Sequence, residues 1–116
     1  MADTSPISVK RALARNPKHA DVTWTAAATT SVIAAVAGTK YAITQFTIST
    51  ETDSALIAVK SGSTVIATLW IGAKAPVVIG DGSSVIFTVE AAEAFTVTTT
   101  DAVDGAAFCT YYDVLV

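Results

Sequence analysis

The longest uninterrupted β-like pattern covers residues 40–51, which lack glycine and proline and are rich in β-branched and aromatic residues. Strict alternation places Tyr41 and Ile43 on one face of a strand, and Phe46 and Ile48 on the other. All four side chains reach one core only if an extra residue is absorbed between the two pairs, as in a β-bulge. The pattern therefore predicts a long, bent strand in the middle of a β-sandwich.

Shorter β-like segments occupy the rest of the chain, and clusters of turn residues separate them. The predicted strands are residues 22–26, 31–36, 55–59, 65–70, 77–79, 84–90, 94–99 and 106–116, in addition to the long one. The segment between 59 and 65 contains Gly62 and is typical of a hairpin turn. The last strand has no break, which favours a central place in its sheet. This rhythm indicates an all-β fold, an antiparallel β-sandwich of eight or nine short strands resembling a jelly roll.

Composition supports the same fold class. Val, Ile and Thr together number 41, against four Leu, three Glu and one Gln, so the usual residues of exposed helix faces are scarce. A length of 116 residues predicts one domain, residues 22–116, preceded by an N-terminal arm, residues 1–21. The chain is 52% hydrophobic, which favours an oligomer interface. No apolar run is long enough to span a membrane, so we expect no membrane partner.

Charge divides the chain unevenly. Residues 1–20 carry four cations against Asp3, a net charge of +3, whereas the remainder carries three lysines against nine acids, a net charge of −6. A basic arm on an acidic body suggests that the arm has its own partner. Four cations without an interleaved aromatic residue are weak evidence for nucleic acid, so we expect none. An acidic protein surface is the preferred partner, and the body of a neighbouring copy is an alternative.

The arm has two possible conformations. Ser5 and Pro6 suit the start of a short helix that would place Val9 and Leu13 on one face and end before Pro17. The alternative is a segment that becomes ordered only on its partner. The residues predicted to contact that partner are Lys10, Arg11, Leu13, Arg15 and Lys18.

The residue types needed for catalysis do not form a recognisable set. His19 is the only histidine and has no partner nearby in sequence, so we interpret it as a solvated residue of the arm. Most carboxylates fall in predicted turns, and the pairs Glu51 with Asp53 and Asp101 with Asp104 do not match an EF-hand. Cys109 is the single cysteine and is expected to be a small buried hydrophobe. We therefore predict no enzyme activity, no metal and no cofactor.

The aromatic residues leave two alternatives. Stacking on sugar rings would make the protein a glycan-binding module, whereas aromatic residues in a β domain more often anchor a core or an interface. The candidate interface residues are Trp24, Trp70, Tyr111 and Tyr112. Because Tyr111 and Tyr112 are adjacent, they point to opposite faces of a strand.

Three stretches resemble small bacteriophage capsid decoration (cement) proteins with a jelly-roll domain. Residues 31–41, SVIAAVAGTKY, resemble that group's TVVAAVAGKKY entry into the long strand. Residues 59–66, VKSGSTVI, resemble its VKSGSTVI hairpin. Residues 94–97 together with residues 107–112, AFCTYY, resemble its closing pair of strands.

The resemblance implies a structural virion protein that binds the outer capsid surface and stabilises the shell. It implies a homotrimer at three-fold positions whose partner is the major capsid protein, made in the host cytoplasm and located in the virion. The same domain plan also serves phage tail and neck proteins, so a tail or neck position, or a host-glycan-binding role, is the alternative.

Overall fold

The structure, a computed structural model, describes residues 17–115. Nine strands form it: β1 (Lys18–Trp24), β2 (Ala28–Ile33), β3 (Thr39–Thr50), β4 (Ala55–Ser61), β5 (Thr64–Ile71), β6 (Val77–Ile79), β7 (Phe87–Val89), β8 (Phe95–Thr99) and β9 (Gly105–Leu115). The described residues contain no helix. The predicted all-β class is confirmed.

The strands form two antiparallel sheets. Sheet A has the order β1-β9-β3-β6, with β7 also paired to β3, and sheet B has the order β2-β8-β4-β5. The chain crosses repeatedly between the sheets, which is the connectivity of a jelly-roll-like sandwich. The closing strand β9 lies between β1 and β3, so its predicted central position is confirmed.

The predicted bulge lies in β3. Along the β3–β9 ladder, Ile43 is opposite Tyr111 and Gln45 is opposite Thr110, which leaves Thr44 as the extra residue. As a result Tyr41, Ile43, Phe46 and Ile48 are all buried in the same core. The bulge therefore directs the apolar side chains of both halves of β3 to the same core.

The core fills the space between the sheets and contains an aromatic cluster. Phe46 lies edge-on to Phe87 and to Phe95, with ring centroids 6.1 and 5.6 Å apart. Ile57, Val59 and Val97 of sheet B pack in the same cluster. Edge-to-face contacts between rings add stability beyond that from the buried area. Because Phe46 and Phe87 belong to sheet A and Phe95 to sheet B, these contacts hold the two sheets together.

Three predicted strands were wrong by three residues or more at an end. The first strand begins at Lys18 rather than residue 22, because β1 pairs with β9 from Lys18 opposite Tyr111 onward. Residues 18–21, assigned to the arm from sequence, therefore belong to sheet A. The second strand is Ala28–Ile33 rather than residues 31–36. The chain then turns, and the Thr39 amide donates to the Val36 carbonyl at 3.2 Å.

The third error concerns residues 84–90, of which only Phe87–Val89 form a strand. The chain before β7 instead donates to carbonyls at the bulge of β3. Gly82 donates to Thr44 at 3.1 Å, and Ile86 donates to Ile43 at 2.7 Å. Val85, which lies in this segment, is exposed.

Gly105 is required by close packing rather than by its backbone angle. A Cβ at this position would lie 2.3 Å from Cζ2 of the buried Trp24 indole, its partner on β1. Gly105→Ala is expected to lower the free energy of unfolding by about 1–3 kcal/mol, because a rigid ring must shift. Chemical denaturation followed by tryptophan fluorescence measures this change.

Gly72→Ala is the matched control. Its Cβ would lie 3.6 Å from the Ala75 side chain, an ordinary contact, so we expect a change within about 0.5 kcal/mol. Equal losses for the two variants would show that the Trp24 contact does not restrict Gly105.

Candidate interaction surface

Sheet B presents an outer face that is almost free of charge. Lys60 is the single charged residue among its four strands. At one side of this face Trp70 of β5 lies opposite Leu56 of β4, and their side chains are 66% and 46% exposed. Val65, on the same edge strand, is also exposed. An exposed aromatic-aliphatic pair on a neutral sheet is a feature of contact surfaces.

Register explains why these side chains face outward. Ile57 and Val59 alternate with Leu56 and Ala58 along β4, and the first pair is fully buried. The pairing of Ala58 with Thr68 and of Leu56 with Trp70 fixes the outward direction of the β5 residues. Trp70 is therefore exposed because of the sheet register, which also buries its neighbour Ile71 in the core.

The predicted interface aromatics do not share one surface. Trp24 is 7% exposed and belongs to the core cluster, so its side chain is not available to a partner in this fold. Tyr111 is half-buried and packs edge-on to Tyr41 at 5.4 Å between ring centroids, and burial raises the pKa of both phenols. Tyr112 is buried but is not part of the core cluster. Of these four aromatic residues, Trp70 alone is broadly exposed.

The predicted arm contacts fall mainly outside the described residues. Lys10, Arg11, Leu13 and Arg15 belong to that part of the chain, and their assignment stays a prediction. Lys18 lies in β1, where its ammonium donates a hydrogen bond to the Asp113 carboxylate. This hydrogen bond raises the pKa of Lys18. Lys18 therefore already has a partner within its own chain.

His19 is exposed, as interpreted from sequence, but it lies in β1 rather than in the arm. Its ring stacks on Phe108 with centroids 5.6 Å apart and planes 15° apart. Its Nδ1 lies 3.1 Å from Oγ1 of Thr110, in the same strand as Phe108. Sequence gave no sign of this contact, because the β1–β9 register that creates it joins residues 91 positions apart. His19 helps to seat the edge strand β1 on β9.

The loops that carry Glu51 and Asp104 meet at one end of the sandwich. The Glu51 amide donates to the Asp104 carbonyl at 2.9 Å, which joins the two loops that carry the predicted acidic pairs. A depression of about 260 Å³ lies beside them and is bordered by Trp24. Among residues 17–115, no three His, Cys, Asp or Glu side chains are grouped as metal ligands.

Cys109 is fully buried between the sheets, as expected from sequence. Burial raises the pKa of its thiol to about 12, so the sulfur is a neutral thiol at physiological pH. A buried, neutral thiol is a poor nucleophile. Within the described part of the chain, no helix is long and apolar enough to cross a membrane.

Comparison with known proteins identifies a similar fold but no family. No protein-family model matches the sequence, and no curated protein matches it. The structure is similar to a solved structure described as "Bacillus endospore appendages form a novel family of disulfide-linked pili". The TM-score is 0.54 and the sequence identity 19%, over 87% of this chain and 88% of that chain. This likeness shows that the two chains share a fold.

Proposed function

We propose that the protein is a structural protein that acts through contacts with other protein subunits, and more specifically that it decorates a phage capsid. The observation that carries the proposal is the neutral outer face of sheet B with its exposed Trp70 and Leu56. The absence of a grouped set of catalytic or metal-binding side chains within residues 17–115 agrees with a structural role. The sequence resemblance to decoration proteins supplies the capsid as partner.

The basic arm is assigned to capsid contact in this proposal. Lys10, Arg11 and Arg15 precede the sandwich, and the body carries most of the acidic residues. Opposite charges on an acidic capsid surface would speed and orient docking. A homotrimer would carry three such arms, and avidity would then strengthen weak individual contacts.

Charge reversal of the arm tests this assignment. Replacing Lys10, Arg11 and Arg15 together with Glu is expected to abolish binding to capsids assembled from the major capsid protein of the same genome. Co-sedimentation of the protein with those capsids measures binding, and analytical ultracentrifugation checks that its oligomeric state is unchanged. The matched control is Lys10→Arg with Arg11→Lys and Arg15→Lys, which keeps every charge and is expected to bind. Undiminished binding of the Glu variant would refute capsid contact by the arm.

A second candidate is a subunit of a pilus-like fibre, which the likeness to a pilus protein favours. The single cysteine of this chain is fully buried, so links between copies of this fold would be non-covalent. Electron microscopy of the protein alone separates the candidates. Fibres formed without capsids favour the pilus-like fibre, and protein that is seen only on capsids favours decoration.

A further inference from the structure

On the premise that the protein is structural, we infer that copies join head to tail through the two edges of sheet B, with β5 of one copy pairing with β2 of the next. These edges differ from those of sheet A in the features that normally prevent strand pairing. Edge strands in soluble proteins are blunted by charges, by prolines or by short length. β5 has eight residues and β2 has six, and neither carries a charge or a proline.

Both edges of sheet A have features that discourage strand pairing. Its edge strand β1 carries Lys18, His19 and Asp21, and the strands at its other side, β6 and β7, have three residues each. Both devices discourage pairing with another chain. Among the described strands, sheet B alone therefore has an uncharged strand of six or more residues at each edge.

Strand direction allows the same two edges to meet. All neighbouring strands in sheet B are antiparallel, so β2 and β4 run one way and β8 and β5 run the other. A second copy in the same orientation, placed beside β5, brings its β2 antiparallel to β5. The antiparallel pattern of sheet B then continues from one copy into the next.

With this pairing, the outer and inner faces of sheet B continue from one copy to the next. One row across sheet B consists of Thr29, Thr98, Ala58 and Thr68, and all of them point outward. Without a shift along the strands, Thr68 of one copy lies beside Thr29 of the next, and outward residues meet outward residues. A bulge between Ser31 and Ile33 interrupts β2 at its far end, so the regular pairing segment is Ala28–Ser31.

The side chains around this joint are complementary. Trp70 is exposed at the end of β5 that would lie beside the start of the next copy's β2, where residues 26–28 are three exposed alanines whose small side chains leave room for the indole. Lys74 follows β5 at that end, and Asp101 follows β8 at the same end of the sheet. Opposite charges therefore flank the two edges and favour β5 with β2 over β5 with a second β5.

Joining unlike edges gives a heterologous contact. Such contacts close into a ring when the rotation between copies allows it, as in a trimer, and otherwise extend as a fibre. Sheet twist sets that rotation. Either outcome uses the same pair of strands.

Lysines placed on the two edges test the joint. Thr68→Lys blocks the β5 edge, and Thr29→Lys blocks the β2 edge, while both residues are exposed and point away from the core. The unaltered protein is expected to associate between micromolar and millimolar concentration, and each variant is expected to weaken association about tenfold or more. Analytical ultracentrifugation and native mass spectrometry measure the species. Thr88→Lys, an exposed strand threonine on sheet A, is the control and is expected to associate normally.

Mixing the two variants gives the sharpest result. Each variant keeps one competent edge, so an equal mixture is expected to form a dimer of one Thr68→Lys chain with one Thr29→Lys chain and nothing larger. Normal association of the Thr29→Lys variant alone would indicate β5 pairing with β5, and the proposed joint would be wrong. A monomeric unaltered protein at all concentrations would also overturn it. Circular dichroism verifies that each variant is folded.

The proposed role of the arm and the proposed strand joint can be refuted independently. If the edge variants are monomeric but a single copy still co-sediments with capsids, the joint is supported and capsid decoration stands. If the arm variant loses capsid binding but associates normally, copy–copy contact does not involve the arm. Association unaffected by either edge lysine would refute the joint and leave the proposed function untouched.

Discussion

Deletion of Thr44 is expected to prevent this chain from reaching its stable fold. Thr44 is the extra residue of the β3 bulge, and it keeps the strand's two halves in phase with one core. Without it, either Tyr41 and Ile43 or Phe46 and Ile48 must turn outward, because side chains alternate strictly along a strand. Exposing two such side chains costs about 3–6 kcal/mol, at about 1.5–3 kcal/mol each. Domains of this kind have about 5–15 kcal/mol in total.

Thr44→Ala is the matched control for the deletion. It keeps the residue count and removes one hydrogen bond, which the Thr44 hydroxyl donates to the Thr110 carbonyl at 3.3 Å. We expect a loss of about 1 kcal/mol. Urea denaturation followed by circular dichroism measures both variants. A deletion variant as stable as Thr44→Ala would show that the bulge does not set the phase of β3.

Phe46→Ala is expected to lower the free energy of unfolding by about 3–5 kcal/mol. The side chain is fully buried and contacts Phe87 from sheet A and Phe95 from sheet B. Its removal leaves a cavity between the sheets that rigid neighbours cannot fill, and two edge-to-face contacts are lost. Urea denaturation at constant pH measures the change.

Phe108→Ala is the matched control, because it removes the same group from the outer face of sheet A. Phe108 is 39% exposed and pairs through β9 with Thr47, beside the core position of Phe46. Its loss removes the stacking contact with His19, and we expect a cost of about 1 kcal/mol. Similar costs for the two phenylalanines would contradict the assignment of Phe46 to a tightly packed core.

Local pattern was sufficient for several elements because each rests on neighbouring residues. The hairpin of β4 and β5 forms around Gly62, whose φ of 59° suits a residue without a side chain. The alternation in β8 places Phe95 and Val97 in the core, and both are buried. The burial of Cys109 followed from the same kind of reasoning. In each case the residues of a single strand or turn were sufficient for the prediction.

The failures occurred where a distant strand decides the outcome. Residues 18–21 were read as part of the arm because their sequence is polar and charged, yet pairing with β9 makes them an edge strand. Residues 84–86 have a β-like pattern, but hydrogen bonds to the β3 bulge keep them out of a strand. Trp24 is a candidate interface residue by sequence, although Gly105 on β9 leaves room for its indole in the core. None of these partners is near in sequence.

The local pattern of side chains was enough to predict the fold class, the bulge and the central strand. A period of two residues and a phase error between Ile43 and Phe46 are local features that chain geometry converts directly into a bent strand. Tertiary structure alone decided which strands became edges and which apolar residues stayed outside. Trp70 and Ile71 are neighbours with similar hydrophobicity, and the pairing of β5 with β4 leaves one exposed and buries the other. Edge position depends on strand order, which arises from contacts between distant segments rather than from any local pattern.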